Sequence, residues 1–184
     1  YTGVTSTTFT GVTRATSSTS AAAHAVNDVV SESWTERDTG RSSAARYNFE
    51  RFNFDGNDKL VVVDGDNAPT FFNSAMSATD ITSAGSGEVS TAVTGAKFVT
   101  AFRDHMFYAG MSSTPQELVF SVPFDEDNFA TGSGGGSIKV DNTITGLKVF
   151  RNDLFIFCES RIFKLSGSSL SDFVITPVTR NIGY

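Results

Sequence analysis

The stretch "FRDHMFYAG", from Phe102 to Gly110, places a two-residue polar turn between an aromatic residue and an apolar run. The same order recurs in "FRNDLFIFC" from Phe150 and in "FDGNDKLVVV" from Phe54, so three phenylalanines lie 48 residues apart. A polar turn between runs of strand-forming residues is typical of a β-hairpin. Self-similarity at a fixed period of this length is typical of a repeated structural unit. The spacing therefore predicts one hairpin-based unit used three times rather than a catalytic motif.

Each unit contains further apolar runs separated by turn residues, and together these runs predict about four short strands. The first unit reads "RYNFERFNF", "KLVVV", "APTFF" and "GEVSTAV"; the second reads "AKFVTAF", "HMFYAG", "ELVFSV" and "SIKV"; the third reads "ITGLKVF", "DLFIF", "RIFKLS" and "DFVITPV". Four antiparallel strands in about 40–50 residues are typical of a propeller blade. We therefore predict an all-β repeat region over 46–184, with antiparallel meanders at 46–95, 96–143 and 144–179.

Several runs are apolar without alternation, as in "LVVV", "MFY" and "LFIF". Strands that are buried on both faces lose the alternation of apolar and polar residues, so stacked blades account for these runs. A plain β-sandwich, which also uses short strands and regular turns, is the alternative architecture. The side chains expected in the core are Phe102, Phe107, Phe120, Leu147, Phe155 and Phe163. Three blades are too few to close a ring, because propellers have four or more.

Residues 1–45 differ in composition from the repeats. They contain 18 Ser or Thr but one of the 17 Phe, which is too little apolar material for a core. Within them, "TTFTGVTR" predicts a short strand and "TSAAAHAVNDVV" predicts a short helix. We therefore predict a Ser/Thr-rich extended arm or the end of a preceding module. The start at Tyr1 rather than Met leads us to expect a piece of a longer protein.

The charge and cysteine content exclude several classes of protein. The net charge is −6, the pI is near 4.8, and the 14 basic residues are scattered singly, whereas a nucleic-acid platform requires a basic patch. The lone cysteine, Cys158, excludes an intrachain disulfide, and its place in "LFIFC" predicts a buried, inert thiol. No stretch contains the ~20 consecutive apolar residues of a membrane-spanning helix.

The segment "NFDGNDKLVVVD" resembles a calcium-binding loop in part. Asn53, Asp55 and Asn57 occupy loop positions 1, 3 and 5, and Asp64 occupies position 12. However, Asp58 stands where such loops require glycine, and position 12 lacks the bidentate glutamate. We predict a plain hairpin turn, and a weak calcium site at these four residues is the alternative.

Other candidate chemistries lack the partners that they require. The densest carboxylates, in Asp64–Asn67 and Asp125–Asp127, have no second carboxylate that the spacing identifies, so solvated turns are expected. His24 and His105 do not form a zinc-ligand spacing. The glycine-rich Gly132–Ser137 lacks the lysine and the following helix of a phosphate loop, and we predict a flexible turn. The sequence therefore predicts no catalytic centre and no cofactor.

Two longer stretches of the repeat region read "AFRDHMFYAGMSSTPQELVFSVPFDEDNF" and "ITGLKVFRNDLFIFCESRIFKLSG". Both are similar to the core of phage tail proteins, in particular the tail nozzle (tail tubular protein B) group of short-tailed phages. The segments that carry this resemblance are Phe102–Gly110, Val119–Ser121, Asp127–Phe129, Ile144–Leu147 and Leu154–Gly167. The arm text "FTGVTRATSSTSAAAHAVNDVV" also resembles tail and fibre proteins, with Ala15 in place of the usual glycine.

The resemblance implies a non-enzymatic structural subunit of a virion tail, built on propeller blades and assembled in several copies around a DNA channel. Its partners would be other copies of itself and other tail proteins, with DNA as passing cargo during ejection. An acidic wall is compatible with that role, because it does not attract the phosphate backbone. Open sheet edges or faces lead us to expect that the arm or the terminal strands contact another chain or another part of the same polypeptide.

Two other functions are compatible with a blade architecture. A receptor- or glycan-binding module of a tail fibre would need exposed aromatic and carboxylate side chains at one mouth of the blades, and Trp34, the lone tryptophan, lies outside the repeats. A cellular propeller scaffold is the other candidate. Neighbouring genes for a terminase or portal would favour the virion.

Overall fold

The computed structural model describes residues 36–54, 56–81, 93–180 and 182, together with the backbone of residues 3–4 and 9–10. The chain divides into two compact units, residues 1–35 and residues 36–184. In the first unit, β1 (Gly3–Val4) and β2 (Phe9–Thr10) form an antiparallel pair. β2 lies within the stretch predicted to form a short strand, and the predicted helix lies outside the described residues.

The second unit contains, in its described part, three four-stranded antiparallel sheets. The first sheet consists of β3 (Asn48–Phe54), β4 (Asn57–Val63), β5 (Thr70–Phe72) and β6 (Ala78–Asp80). The second sheet consists of β7 (Phe98–Phe102), β8 (His105–Ala109), β9 (Glu117–Phe120) and β10 (Gly136–Lys139). The third sheet consists of β11 (Ile144–Phe150), β12 (Asp153–Cys158), β13 (Ile162–Ser166) and β14 (Val174–Thr179). Strand order follows chain order in each sheet, so the predicted all-β meanders are confirmed.

The repeated phenylalanine marks the end of the first strand in every sheet. Phe54 ends β3, Phe102 ends β7 and Phe150 ends β11, and a tight turn to the second strand follows each. Positive φ angles occur in all three turns, at Gly56 (77°), Arg103 (51°), Asp104 (62°) and Arg151 (56°). Two-residue hairpin turns with positive φ match the right-handed twist of the flanking strands. The evenly spaced motif is therefore a structural hairpin.

The second sheet lies between the other two and is buried on both faces. All five residues of β8 are buried. Met106 and Tyr108 belong to a core shared with the first sheet, which we call core 1, whereas Phe107 and Ala109 belong to a core shared with the third sheet, which we call core 2. The first strands β3 and β11 both contact β7. This stack is compatible with blade-like packing, in which each sheet covers the next.

The burial pattern corrects two of the predicted core residues. The side chains of Leu147 and Phe155 are half-buried, whereas the four that are buried as expected are Phe102, Phe107, Phe120 and Phe163. Successive side chains of a strand point to opposite faces. In β12 the alternation puts Leu154 and Ile156 in core 2 and turns Phe155 to the other face. Leu147 contacts core 2 from β11, an edge strand, and so remains partly exposed.

The fourth strand of the first sheet is also different from the prediction. Ala78–Asp80 pairs with β5 in that position, not "GEVSTAV". The side chain of Asn73 stabilises the intervening turn, because its Oδ1 accepts hydrogen bonds from the amides of Ala75 and Ser77, each at 3.0 Å. Of the predicted strand, residues 87–92 lie outside the described residues, and Val93 is buried in core 1.

Residues 36–45, which the sequence assigned to the arm, belong to the larger unit. Arg41 anchors this segment to the first sheet. Its Nε donates to Asp38 Oδ2 at 2.6 Å, its Nη1 donates to the Ala68 carbonyl at 2.7 Å, and its Nη2 binds Asp80. One guanidinium therefore connects the segment to β6 and to the loop before β5.

The glycine-rich segment Gly132–Ser137 connects Phe129 to β10 through a turn. It begins with a 3-10 turn at Thr131–Ser133 and then enters β10. A Cβ atom at Gly135 would lie 2.7 Å from the carbonyl carbon of Phe129, which is too close for any side chain. Glycine at position 135 therefore allows its backbone to pack closely against the backbone of Phe129.

We expect Gly135→Ala to lower the free energy of unfolding by about 1–3 kcal/mol, because the backbone of Phe129 must move to admit the methyl group. Gly132→Ala is the matched control: a Cβ at Gly132 meets nothing within 4 Å, so its effect should stay within about 0.5 kcal/mol. Urea unfolding of the two variants measures the difference. Equal stabilities would contradict the close packing at Gly135.

Candidate assembly surfaces

The outer face of the third sheet, defined here by Phe150, Phe155, Ile162 and Val174, points away from core 2. Phe150 is 59% exposed and Val174 is 55% exposed, while Phe155 and Ile162 are half-buried. The rings of Phe150 and Phe155 contact each other edge to face, with centroids 6.3 Å apart. Solvent-exposed apolar groups that cluster on one face of a sheet mark an interaction surface.

Charged residues on the same face lie beside the apolar ones. The register places Phe155 opposite Lys148 on one side and opposite Lys164 on the other. Asp153 accepts a hydrogen bond from Ser166 Oγ at 2.7 Å and pairs with Lys164 Nζ at 3.3 Å. The Ser166 hydrogen bond, with a smaller contribution from Lys164, lowers the pKa of Asp153. The face therefore combines apolar rings with the Asp153–Lys164 ion pair and a further lysine, Lys148.

The outer face of the first sheet, defined here by Phe49, Leu60, Val62 and Phe72, lies at the other end of the stack. Phe49 is 68% exposed and pairs in register with Val62, and Leu60 pairs with Phe72. The side chains of Leu60, Val62 and Phe72 are half-buried. The nearby Arg51 forms an exposed ion pair with Asp58, with Nη2 and Oδ2 3.3 Å apart. Both ends of the stack thus present an exposed phenylalanine from the first strand of a sheet.

A partly buried ion pair connects the first sheet to the loop between β9 and β10 of the second. Lys59 Nζ from β4 binds Glu126 Oε1, and Glu126 is 3% exposed. The Tyr108 hydroxyl donates to the Glu126 carbonyl at 3.0 Å, and the Lys59 ammonium lies 4.6 Å from the centre of the Phe71 ring. The two charged residues are separated by 67 positions in the sequence, and nothing in their local patterns predicts the contact.

Asp125–Asp127 is accordingly not the fully solvated turn that the sequence predicts. Burial, a side-chain hydrogen bond with Asp125 and the charges of Asp125 and Glu126 together raise the pKa of Asp127 to about 6. The Lys59 ammonium acts in the opposite direction. This loop contacts the first sheet through Glu126 and Lys59. Within it, Asp127 retains its proton well above the pH at which an ordinary aspartate releases it.

We expect Asp127→Asn to stabilise the fold above about pH 6. Between 3.8 and about 6 the folded chain retains a proton that the unfolded chain has released, so this group makes stability fall as the pH rises. Asparagine does not titrate, so the variant does not lose this stability as the pH rises. At pH 7 we expect its free energy of unfolding to exceed that of the natural chain by about 1 kcal/mol, a value reduced to allow for solvent screening. Urea unfolding of both proteins from pH 4 to pH 7.5 tests this. A difference that does not change with pH would contradict the titration.

Three of the four residues of the possible calcium site are among the described residues. Asn53 lies in β3 and Asn57 in β4, and Asp55 lies outside the described residues. The Asp64 carboxylate accepts hydrogen bonds from the amides of Asp66 and Asn67 and from the Asn67 side chain, at 2.7 to 3.0 Å. It therefore stabilises its own turn. No group of three or more potential metal-ligating His, Cys, Asp or Glu side chains occurs among the described residues.

His105 and Cys158 are buried in the middle of the molecule. His105 Nδ1 lies 2.5 Å from the Ser121 carbonyl oxygen, and its ring packs against Phe107, Phe120 and Phe173. The sequence places this histidine at a hairpin turn, and its burial was not predictable from the pattern. Burial, together with the charges of Asp141 and Glu159, raises the pKa of the Cys158 thiol to about 11. His24 lies outside the described residues.

A polar groove of about 600 Å³ borders the β3–β4 turn and is relevant to the glycan-binding alternative. Lys59, Phe71 and Asn73 contribute to its lining. A sugar-binding site stacks a ring on an open aromatic face, but the Lys59 ammonium already lies over the Phe71 ring. Trp34 lies outside the described residues. The groove therefore does not present the aromatic platform that this alternative requires.

No family model matches the sequence, and a search of curated proteins finds no significant match. Within the part of the chain that the structure describes, no helix has the length and apolar character needed to cross a membrane.

Proposed function

We propose that this chain is a non-enzymatic structural component of a phage virion tail, of the nozzle or tail-tube type, and that it functions in a multi-copy assembly around the DNA channel. The observation that supports this proposal most strongly is the exposure of apolar side chains at the two ends of the sheet stack, Phe49 at one end and Phe150 and Val174 at the other. A protein that functions as an isolated monomer rarely leaves such faces in solvent. An assembly of copies covers them.

The position of the segments that resemble phage tail proteins also supports a structural role. These segments fall on β7 to β13 and the turns between them, where they form hairpins and contribute to both core 1 and core 2. The net charge of −6 suits the wall of a conduit, because a wall that attracted phosphates would retard the passage of DNA. Neither feature requires a substrate or a cofactor.

A nonsense mutation in the gene, carried by a phage that encodes this chain, tests the proposal. Grown in a non-suppressing host, the mutant should produce DNA-containing heads that lack a complete tail and lose their DNA. Adding the purified chain should restore infectivity. A suppressing host that inserts the natural residue is the control.

The same experiment separates the proposed role from the receptor-binding alternative. Particles that retain their DNA and a complete tail, but no longer adsorb to cells, would indicate a fibre-type receptor module. Fully infectious particles made without the chain would exclude any essential virion role, including the proposed one.

A further inference from the structure

We propose that the loop between β13 and β14, residues 167–173, is a flap over the buried imidazole of His105, and that protonation of this histidine releases the flap. The contact lies within one chain, so it goes beyond the proposed tail role and does not depend on it. Three features of the structure support it: the hydrogen bonding of His105, the apolar rings around it and the self-contained structure of the flap.

The hydrogen bonding of His105 defines which ring nitrogen carries a proton. Nδ1 lies 2.5 Å from the carbonyl oxygen of Ser121, and a carbonyl oxygen only accepts, so Nδ1 donates. The neutral ring then carries its lone pair on Nε2, which is buried and has no hydrogen-bond partner among the described residues. A second proton would therefore create a buried N–H group without an acceptor.

The surroundings of His105 are apolar. Its side chain packs against Phe107, Phe120 and Phe173, with ring centroids 6.1, 5.7 and 5.5 Å away. An unpartnered charge is strongly disfavoured in such surroundings. Phe107 and Phe120 lie within the strands of the second sheet and are 0% exposed, whereas Phe173 comes from the flap and is half-buried. Phe173 is therefore the neighbour that can move aside and admit water to Nε2.

The flap holds its own structure, so it can move as a unit. The Asp172 carboxylate accepts hydrogen bonds from the amides of Ser168 and Ser169 at 2.7 to 3.1 Å, and the Asp172 amide donates to the Ser169 carbonyl at 3.1 Å. The backbone hydrogen bonds from Ser168 and Ser169 lower the pKa of Asp172 to about 2. The internal bonds of the flap therefore persist at the mildly acidic pH at which an imidazole titrates.

Charged side chains on the surrounding elements do not offset a proton on His105, which forms no ion pair with a carboxylate of the described residues. These charged residues are Arg103 and Asp104 in the turn before β8, Asp125 in the loop after β9, Asp153 at the start of β12 and Asp172 in the flap. The first two are exposed. The other three carboxylates accept hydrogen bonds from Asn128, Ser166 and the flap amides.

The equilibrium of the flap should therefore depend on pH in one direction. With the flap open, water reaches Nε2 and the ring behaves as an ordinary imidazole, which takes up a proton near pH ~6.5. With the flap closed, the ring stays neutral. Acidification below that pH should raise the ratio of open to closed molecules by about ten-fold per pH unit, because each opening binds one proton.

NMR spectroscopy of the full chain between pH 7.5 and pH 4.5 tests the coupling. The centroids of Phe173 and Phe120 are 5.6 Å apart, so a cross-peak between the two rings reports the closed flap. We expect this cross-peak to weaken over the pH range in which the His105 ring proton changes its chemical shift. His105→Gln retains a donor for the Ser121 carbonyl but does not titrate, so its cross-peak should persist.

Removing the ring of the flap tests the same coupling from the other side. In Phe173→Ala, water should reach Nε2 at every pH, so His105 should take up its proton about one pH unit or more above the natural chain. Leu170→Ala is the matched control, because Leu170 belongs to the flap but is 42% exposed. Its His105 titration should match that of the natural chain. This pair of variants decides the question even if His105→Gln does not fold.

Several results would overturn the proposal. The Phe173–Phe120 cross-peak could persist while His105 takes up its proton, or it could disappear at the same pH in His105→Gln. The titration of His105 could be the same in Phe173→Ala and in the natural chain. Loss of the cross-peak only together with global unfolding, followed by circular dichroism, would show that the flap does not open separately and would overturn the proposal as well.

Discussion

Replacing Phe107 by alanine is expected to lower the free energy of unfolding by about 3–5 kcal/mol, the usual cost of truncating a fully buried phenylalanine. Phe107 is 0% exposed and lies between the second and third sheets. Its ring packs against Phe102, Phe120 and Phe173, with centroids 6.0, 5.4 and 5.9 Å away. The stack holds these neighbours in place, so they cannot fill the cavity that the substitution leaves. Urea unfolding followed by circular dichroism measures the loss.

Phe150→Ala is the matched control for this prediction. It removes the same ring from a side chain that is 59% exposed, so the cost should be below about 1 kcal/mol. A large loss for Phe150→Ala together with a small loss for Phe107→Ala would contradict the assignment of buried and outer faces on which the stacked architecture depends.

Lys59→Met is expected to cost about 3 kcal/mol, because it leaves the Glu126 carboxylate buried without its cation. The side chain of Glu126 is 4% exposed and that of Lys59 is 24% exposed, so solvent reaches the lysine but not the carboxylate. Methionine retains the apolar contact with the Phe71 ring. The measured loss therefore reports the charge rather than the packing.

Two further variants define the origin of that loss. Adding Glu126→Gln to Lys59→Met should recover a substantial part of the stability, because a neutral amide replaces the isolated charge. Arg51→Met breaks the exposed Arg51–Asp58 pair and should cost less than about 1 kcal/mol. A double variant as unstable as Lys59→Met alone would show that the ion pair does not explain the effect.

Local pattern predicted the architecture of the repeat region well. The even spacing of Phe54, Phe102 and Phe150 indicates where each first hairpin turns, because a polar pair between apolar runs has few other structures available. The structure confirms the three meanders. It also explains the spacing, since the same hairpin is built once in each sheet.

The choice of buried face could not be predicted from the same runs. "LFIF" is apolar throughout, so the sequence does not indicate whether Leu154 or Phe155 points into the core. The structure shows that Leu154 is buried and Phe155 half-buried, so the expected burial of Phe155 was wrong. Which side chains are buried depends on which face of the strand packs against a neighbouring sheet, and that packing involves residues far away in the sequence.

The ion pair between Lys59 and Glu126 could not be predicted from the sequence either. Lys59 lies in β4 of the first sheet, whereas Glu126 lies in the loop between β9 and β10 of the second sheet, and that loop looks like an ordinary acidic turn in the sequence. The fold brings the two together because the first and second sheets stack. The raised pKa of Asp127 has the same origin. Contacts of this kind depend on tertiary packing that no short motif encodes.

Electron microscopy of intact particles that carry this gene is the most direct test of the proposed tail role. We predict that the density for residues 36–182 forms part of a multi-copy ring around the DNA channel of the tail, with the outer faces of the first and third sheets covered by neighbouring density. Density for the chain at the tip of a fibre, or particles that do not contain the chain, would contradict the account.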